Sequence, residues 1–410
     1  MNGSERLHAL DAVRALALLL GVALHGAVPY VPGFPGWASD TPSTGLTVMF
    51  YVIHIFRMTV FFFIAGLFAR LALQRKGTTT FVRDRLTRVG LPLVGGWLVL
   101  MPGMGIVLAV GAAIAGTAAN TQPAVAPQVP ESALMAVVTL FPWGHLWFLY
   151  MLLGFYAVAL AARGAVHRVD KRDAIASLAD RVTRWVMQSH LAPLVLGAPA
   201  LALFLTNPDW RMWFGVPSPI QGFIPDRLSW FSFAFAFVFG WMLHRQIELI
   251  RVWQRRWALN MGIALAATAG CLAIAGPTPI DAAAAPGLMT AAYAALYAVS
   301  IWAWIAGILG VALTFLSEHS VTRRYLADAS YWIYLVHVLP IMATHVALTR
   351  MAWPPALEFL IVVGIATGVC LATYQVFVRH TFIGVVLNGR RGGSAVQPPA
   401  AAAAPGAAVT

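Results

Sequence analysis

Charge is the first thing this sequence lacks. Only 10% of its 410 residues are Asp, Glu, Lys or Arg, against about 25% in a soluble domain. That deficit argues against a water-soluble fold and for a chain that crosses a membrane many times. Cysteine is nearly absent as well. Cys271 and Cys370 both lie in apolar runs, outside any CxxC or metal-ligand spacing, so a disulfide framework and a metal site are not expected and both read as packing residues. No internal repeat is visible. A cleavable leader is not expected either: the first apolar run starts near Leu10, is long, and carries Arg14 and His25, unlike the short apolar core of a signal peptide.

What is present is apolar. Hydrophobic residues make up 60% of the chain, with 23 Phe, 15 Trp and 10 Tyr. A spanning helix needs about 20 apolar residues. Ten segments qualify: 10–30, 46–73, 89–117, 146–163, 190–206, 228–244, 258–276, 287–316, 329–349 and 356–378. The fold class is therefore all-α, a polytopic integral membrane protein of about ten transmembrane helices. Segment 131–141 is too short to span and ends at Pro142, which suits an interfacial or re-entrant helix. The fifth segment, with Pro193 and Pro199, is the weakest span.

The chain carries a formal charge of +12, which topology explains without a nucleic-acid partner. With the N-terminus in the cytoplasm, 21 of the 27 basic residues fall in the inner segments. Short loops rich in Lys and Arg stay on the cytoplasmic side, so both termini are expected there. The outer loops hold Trp37, Asp40, Asp209, Trp210, Arg211, Trp213 and Asp226. Tryptophan there serves as an interfacial anchor, or, beside Asp and Arg, suits a sugar whose C–H face packs on indole. Residues 391–410, rich in Ala and Pro, read as a disordered cytoplasmic tail after a transmembrane domain of residues 1–390.

Ionisable groups at bilayer depth are costly, which makes a functional role the default. Arg14 and His25 are eleven steps apart in "DAVRALALLLGVALHG". At about 100° per residue they differ by roughly 20° in azimuth and share one helix face, ~16 Å apart along the axis. His25 lies roughly 22 Å from the inner surface. On the returning second span, His54 and Arg57 are i, i+3 neighbours at a similar depth. Arg70 lies near the inner surface, with Arg83, Arg85 and Arg88 at the inner mouth of the third span. The inner end is thus an arginine cluster suited to phosphates, and the outer end is histidine-centred. That layout suits transfer across the membrane, from a polyphosphate-headed donor inside to an acceptor outside. Each residue also has a structural reading. Arg14 can snorkel, and His54 and Arg57 can form an interhelical network. The inner arginines can be topology signals. His145 and Trp147 at the mouth of the fourth span, and mid-membrane His337, divide between acceptor contact and structural bonding.

Taken in order, several stretches resemble the acyltransferase-3 family of integral membrane acyltransferases: "LDAVRALALLLGVALH", "VFFFIAGLFAR" with Ala65 where Ser is frequent, "RDRLTRVGLP", "HLWFLYMLL" and "DASYWIYLVH". The resemblance implies about ten helices with both ends cytoplasmic. It implies an acyl-CoA donor (acetyl-CoA or succinyl-CoA) from the cytosol, with no bound cofactor. The implied acceptor is a hydroxyl of an extracytoplasmic carbohydrate or glycolipid. His25 then matches the catalytic histidine and Arg14 a donor-side arginine. Arg70 and Arg88 match family arginines near the inner mouth, and Arg85 stands beside them. Arg57, with His54, is placed to contact the acyl group or its oxyanion. A direct base mechanism and an acyl-histidine intermediate both remain open. Two rivals stand beside this reading. One is a glycan or lipid transporter or flippase, although repeats and paired broken helices are not evident in the sequence. The other is a non-catalytic subunit held by polar interhelical contacts.

Overall fold

The computed structural model describes residues 3–33, 41–115, 133–279 and 287–389. Trp37, Asp40 and the tail 391–410 lie outside these residues. The described chain is helical, without a β-strand; one isolated bridge joins Pro142 and Gln221.

Helix α1 runs Gly3–Ala27, and Pro29 in the turn Val28–Tyr30 ends it. Helix α2, Thr44–Lys76, starts at Ser43, whose hydroxyl accepts from the Leu46 N–H, and stops at Gly77 with φ 74°, a left-handed conformation that glycine adopts without strain. Helix α3, Thr78–Arg85, continues through a wide turn at Leu86–Gly90 into α4, Leu91–Ala115. Then come α5 (Ala133–Leu140), α6 (Trp147–Val169), α7 (Ala174–Gln188), α8 (Ala192–Thr206) and α9 (Arg227–Leu243). The carboxylate of Asp226 caps α9 at the Ser229 N–H. The rest are α10 (Ile250–Arg255), α11 (Trp257–Ala275), α12 (Leu288–Phe315), α13 (Val321–Val336), α14 (Val338–Leu348), α15 (Pro355–Thr373) and α16 (Phe382–Asn388).

Every one of the ten apolar segments falls on helix. Among the described residues seven helices are long and apolar enough to cross a membrane, or up to nine if each of two bent pairs is one span. The segment left over is α9, which at 17 residues is about 25 Å long. Segment 190–206 is not a straight span of its own. It is α8, 15 residues with Pro193 in its first turn and Pro199 inside, set at 114° to α7. Segment 329–349 is also bent, by 62°, where α13 meets α14. The short segment before Pro142 is helix α5, only 8 residues long.

Helices α2 and α12 run through the middle of the bundle, while α4 and α15 turn Leu98, Val99, Ile106 and Leu360 outward. Between lipid-embedded helices there is no water to squeeze out, so close backbone approach supplies the attraction. Gly66 of α2 and Gly240 of α9 show this reciprocally. A Cβ at Gly66 would lie 1.9 Å from the Phe237 carbonyl oxygen, and one at Gly240 would lie 2.0 Å from that of Phe63. Only glycine at both positions permits that crossing. Phe62 and Phe63 fill the centre, ringed by Phe155, Phe233 and Trp302. Cys271 and Cys370 are buried free thiols. Helix α1 is wedged between α2, α12, α13 and α15, which places His25 inside the protein, while Asp11 and Arg14 stay partly exposed.

Candidate active site

Three histidines from distant parts of the chain meet beside α1. His25 comes from the last turn of α1. His337 sits at the bend between α13 and α14. His145 lies in the turn Gly144–Leu146 that opens α6. The ring centroids are 4.9 Å apart for His25 and His337, 5.5 Å for His145 and His337, and 6.4 Å for His25 and His145. The turn that presents His145 is pinned from outside, because the Trp143 and Gly144 N–H groups both donate to the Ile220 carbonyl at 2.9 and 3.0 Å.

Hydrogen bonds set the roles of the ring nitrogens. His25 Nδ1 lies 2.8 Å from the Gly21 carbonyl oxygen. A carbonyl only accepts, so a proton on Nδ1 would be donated to Gly21 and would leave Nε2 with its lone pair. That Nε2 has no hydrogen-bond partner among the described residues. His145 Nε2 donates to the Leu335 carbonyl at 2.9 Å, and its Nδ1 is buried without a partner. Tyr334 donates its hydroxyl to the His145 carbonyl at 2.9 Å.

Arg57 completes the group. A Cβ at Gly21 would lie 2.4 Å from Arg57 Nη1 and 3.9 Å from His337 Nε2, so the guanidinium and His337 both close on α1 one turn before His25. Arg57 Nη2 touches the Met58 sulfur at 3.4 Å, and Nε is buried without a partner. No carboxylate pairs with Arg57 among the described residues. A base with a free lone pair next to a guanidinium lacking a counter-ion is equipped to take a proton from a hydroxyl and to hold negative charge.

The other expected residues are placed elsewhere. His54, expected beside Arg57 at the acyl group, turns to the loop before α9: its Nε2 donates to the Phe214 carbonyl at 3.0 Å and its ring stacks on Phe50. Trp147 is buried against Phe62 and Phe233. Arg14 pairs with Asp11 at 3.3 Å and lies over Phe68. Arg70 lies over Trp241 with its Nε buried and unpartnered. Arg85 sits between Phe81 and Tyr156. The guanidinium of Arg88 abuts Gly389, and its carbonyl accepts from the Tyr331 hydroxyl. These four arginines face different helices rather than one point. Sequence reasoning missed Tyr334 and Gly21. Tyr334 had a usable signal, standing three residues before His337 in "YLVH"; Gly21 had none, because its role is to leave space.

Among the described residues no set of three His, Cys, Asp or Glu side chains is arranged to hold a metal ion. The three rings meet edge to face, each with a nitrogen committed to a backbone carbonyl.

Comparison with known proteins gives a consistent family signal. A model of the acyltransferase-3 family, described as an acyltransferase domain, matches residues 7–375. Among curated proteins, the chain is similar to glucans biosynthesis protein C from Salmonella paratyphi B, Salmonella heidelberg and Salmonella enteritidis, 36% identical over 91 residues in each. Those matches cover 22% of this chain and 24% of each relative, so the chain spans about a quarter of their length. No solved structure matches.

Proposed function

The chain belongs to the acyltransferase-3 family, and on that premise we propose that it moves an acetyl or succinyl group from cytosolic acyl-CoA to a hydroxyl of an extracytoplasmic carbohydrate or glycolipid. Its being a multi-pass membrane acyltransferase follows from the family match and the apolar helices. The donor, the acceptor and the site residues are our reading. A glucan is the acceptor we favour, because the curated relatives are named for glucan biosynthesis. The inward excess of basic residues supports cytoplasmic termini and a donor that enters from that side.

One observation carries the mechanism. His25 Nδ1 is engaged by the Gly21 carbonyl, which leaves Nε2 to act as the base, and Arg57, with no carboxylate partner among the described residues, stands beside it. In the reaction His25 Nε2 removes the proton of the acceptor hydroxyl. The oxygen attacks the thioester carbonyl, and the resulting oxyanion is held by the Arg57 guanidinium. Collapse breaks the C–S bond. The departing thiolate takes the proton from His25, so the products are an ester and free CoA thiol. Arg14, Arg70, Arg85 and Arg88 face different helices, so in this reading they would meet the phosphates of the donor singly and not as one cluster.

The test uses purified protein with acyl-CoA radiolabelled in the acyl group and a glucan acceptor. Wild type should release CoA and label the glucan. His25→Ala should do neither while keeping its thermal midpoint. Transfer retained by His25→Ala sinks the assignment. Uptake of glucan into vesicles without donor consumption would favour a transporter instead.

A further inference from the structure

His337 is the buried titratable group that the reaction above leaves idle, yet it makes the closest side-chain contact to the proposed base. Its Nε2 lies 3.1 Å from His25 Nδ1. Its other nitrogen, Nδ1, lies 2.8 Å from the Tyr334 carbonyl oxygen and 3.0 Å from that of Ile333. Two protonation patterns are open to the neutral pair. If His337 donates from Nε2 to His25 Nδ1, then His25 Nδ1 has no proton for Gly21 and His337 Nδ1 has none for Tyr334 or Ile333. Three carbonyl oxygens would then face ring lone pairs at 2.8–3.0 Å, a repulsive contact in each case because a carbonyl oxygen and a bare ring nitrogen are both acceptors. If both rings are protonated at Nδ1, every contact is satisfied. His337 donates to the backbone of α13, and His25 donates to Gly21 and to the lone pair of His337 Nε2.

We infer that His337 is a positioning residue whose Nε2 accepts from His25 Nδ1 and so fixes His25 in the tautomer that presents Nε2 as a base. The inference rests on the reading of His25 as that base. The Gly21 carbonyl alone is a poor guarantor, since it belongs to α1 and already serves the helix backbone. His337 is a dedicated acceptor, its ring held through Nδ1 by the Ile333 and Tyr334 carbonyls at the end of α13. The chain of bonds also reaches the third histidine. Tyr334 accepts from His337 at its carbonyl and donates from its hydroxyl to the His145 carbonyl. The turn bearing His145 is thereby tied to the same helix that sets His25. In the wrong tautomer His25 would offer an N–H to the acceptor hydroxyl, which cannot remove its proton.

Two variants and one spectroscopic reading test this. His337→Phe keeps a ring of similar size and removes the acceptor. His337→Gln keeps an amide oxygen that can accept. We expect His337→Phe to lower kcat on the order of 10²-fold with the donor KM within about twofold of wild type, and His337→Gln to recover much of the loss. Independently, nitrogen-15 chemical shifts of labelled histidine in the resting wild-type protein, assigned through His25→Gln, should show His25 protonated at Nδ1. A His25 protonated at Nε2 in wild type overturns the inference. So does a His337→Phe enzyme with wild-type kcat, or a His337→Gln variant no better than His337→Phe. The nitrogen shifts need no substrate, so a failure of the acyl-CoA reading would show as absent turnover with the tautomer intact.

Discussion

The guanidinium of Arg57 occupies the space that a side chain at Gly21 would need, with only 2.4 Å between Nη1 and the position of a Cβ there. The contact is reciprocal in its consequence. Glycine on α1 lets a charge from α2 stand one helical turn from His25.

Gly21→Ala should therefore act on chemistry more than on folding. The neighbour that must yield is the far end of a flexible side chain, so the helices stay packed and the guanidinium shifts by about an ångström. A displacement of that size at an electrostatic group costs on the order of 10²-fold in rate. Thermal midpoint and kcat, measured side by side, should separate: the first nearly unchanged, the second strongly reduced. Equal losses in both would contradict this.

Arg57→Leu should separate stability from activity in the same sense and further. Arg57 has no carboxylate among the described residues and its Nε is buried without a partner. A charge held in that state is a cost to the fold. Replacing it should leave stability unchanged or raise it by about 1 kcal/mol while transfer falls more than ~10²-fold. A destabilised Arg57→Leu protein would mean that the guanidinium is structural.

At the α2–α9 crossing the expectation is purely structural. Gly66→Ala and Gly240→Ala each drive a methyl into a backbone carbonyl, and backbone cannot step aside as a side chain can. Each should destabilise by about 3 kcal/mol. Detergent-solubilised protein should show this as a lower thermal midpoint and as aggregation at moderate temperature.

Where α14 meets α15, His345 Nδ1 and Glu358 Oε1 are 3.1 Å apart and nearly sealed, joining the end of one helix to the start of the other. His345→Phe alone would leave the carboxylate in a buried site without its imidazole and should destabilise by about 3 kcal/mol. Adding Glu358→Gln should restore much of that loss, because the orphaned charge is gone. A double-mutant cycle on thermal unfolding measures it, and strict additivity would refute the pairing.

The linear chain of residues was enough to determine the class of fold. Lipid tolerates backbone only when its polar groups are satisfied within the segment, so runs of apolar residues had to be helices, and all ten segments are. The same logic singled out Arg14, His25 and Arg57, since charge and imidazole inside such runs are rare. Length and bending were not legible in the sequence. Segment 190–206 lies at 114° to the helix before it, a geometry that hydropathy does not encode.

Only the packing of the bundle decided which polar residues meet. His145 and His337 are 192 positions apart, and neither carries a local pattern that points to His25. What unites them is a bend in one helix, a tight turn before another and a glycine on a third. His54, equally conspicuous in the sequence, is claimed by the Phe214 carbonyl instead. Hydrophobic periodicity reports how a helix faces lipid. It holds no information about which partner's carbonyl will fix a given imidazole, and that is what separates a base from a strut.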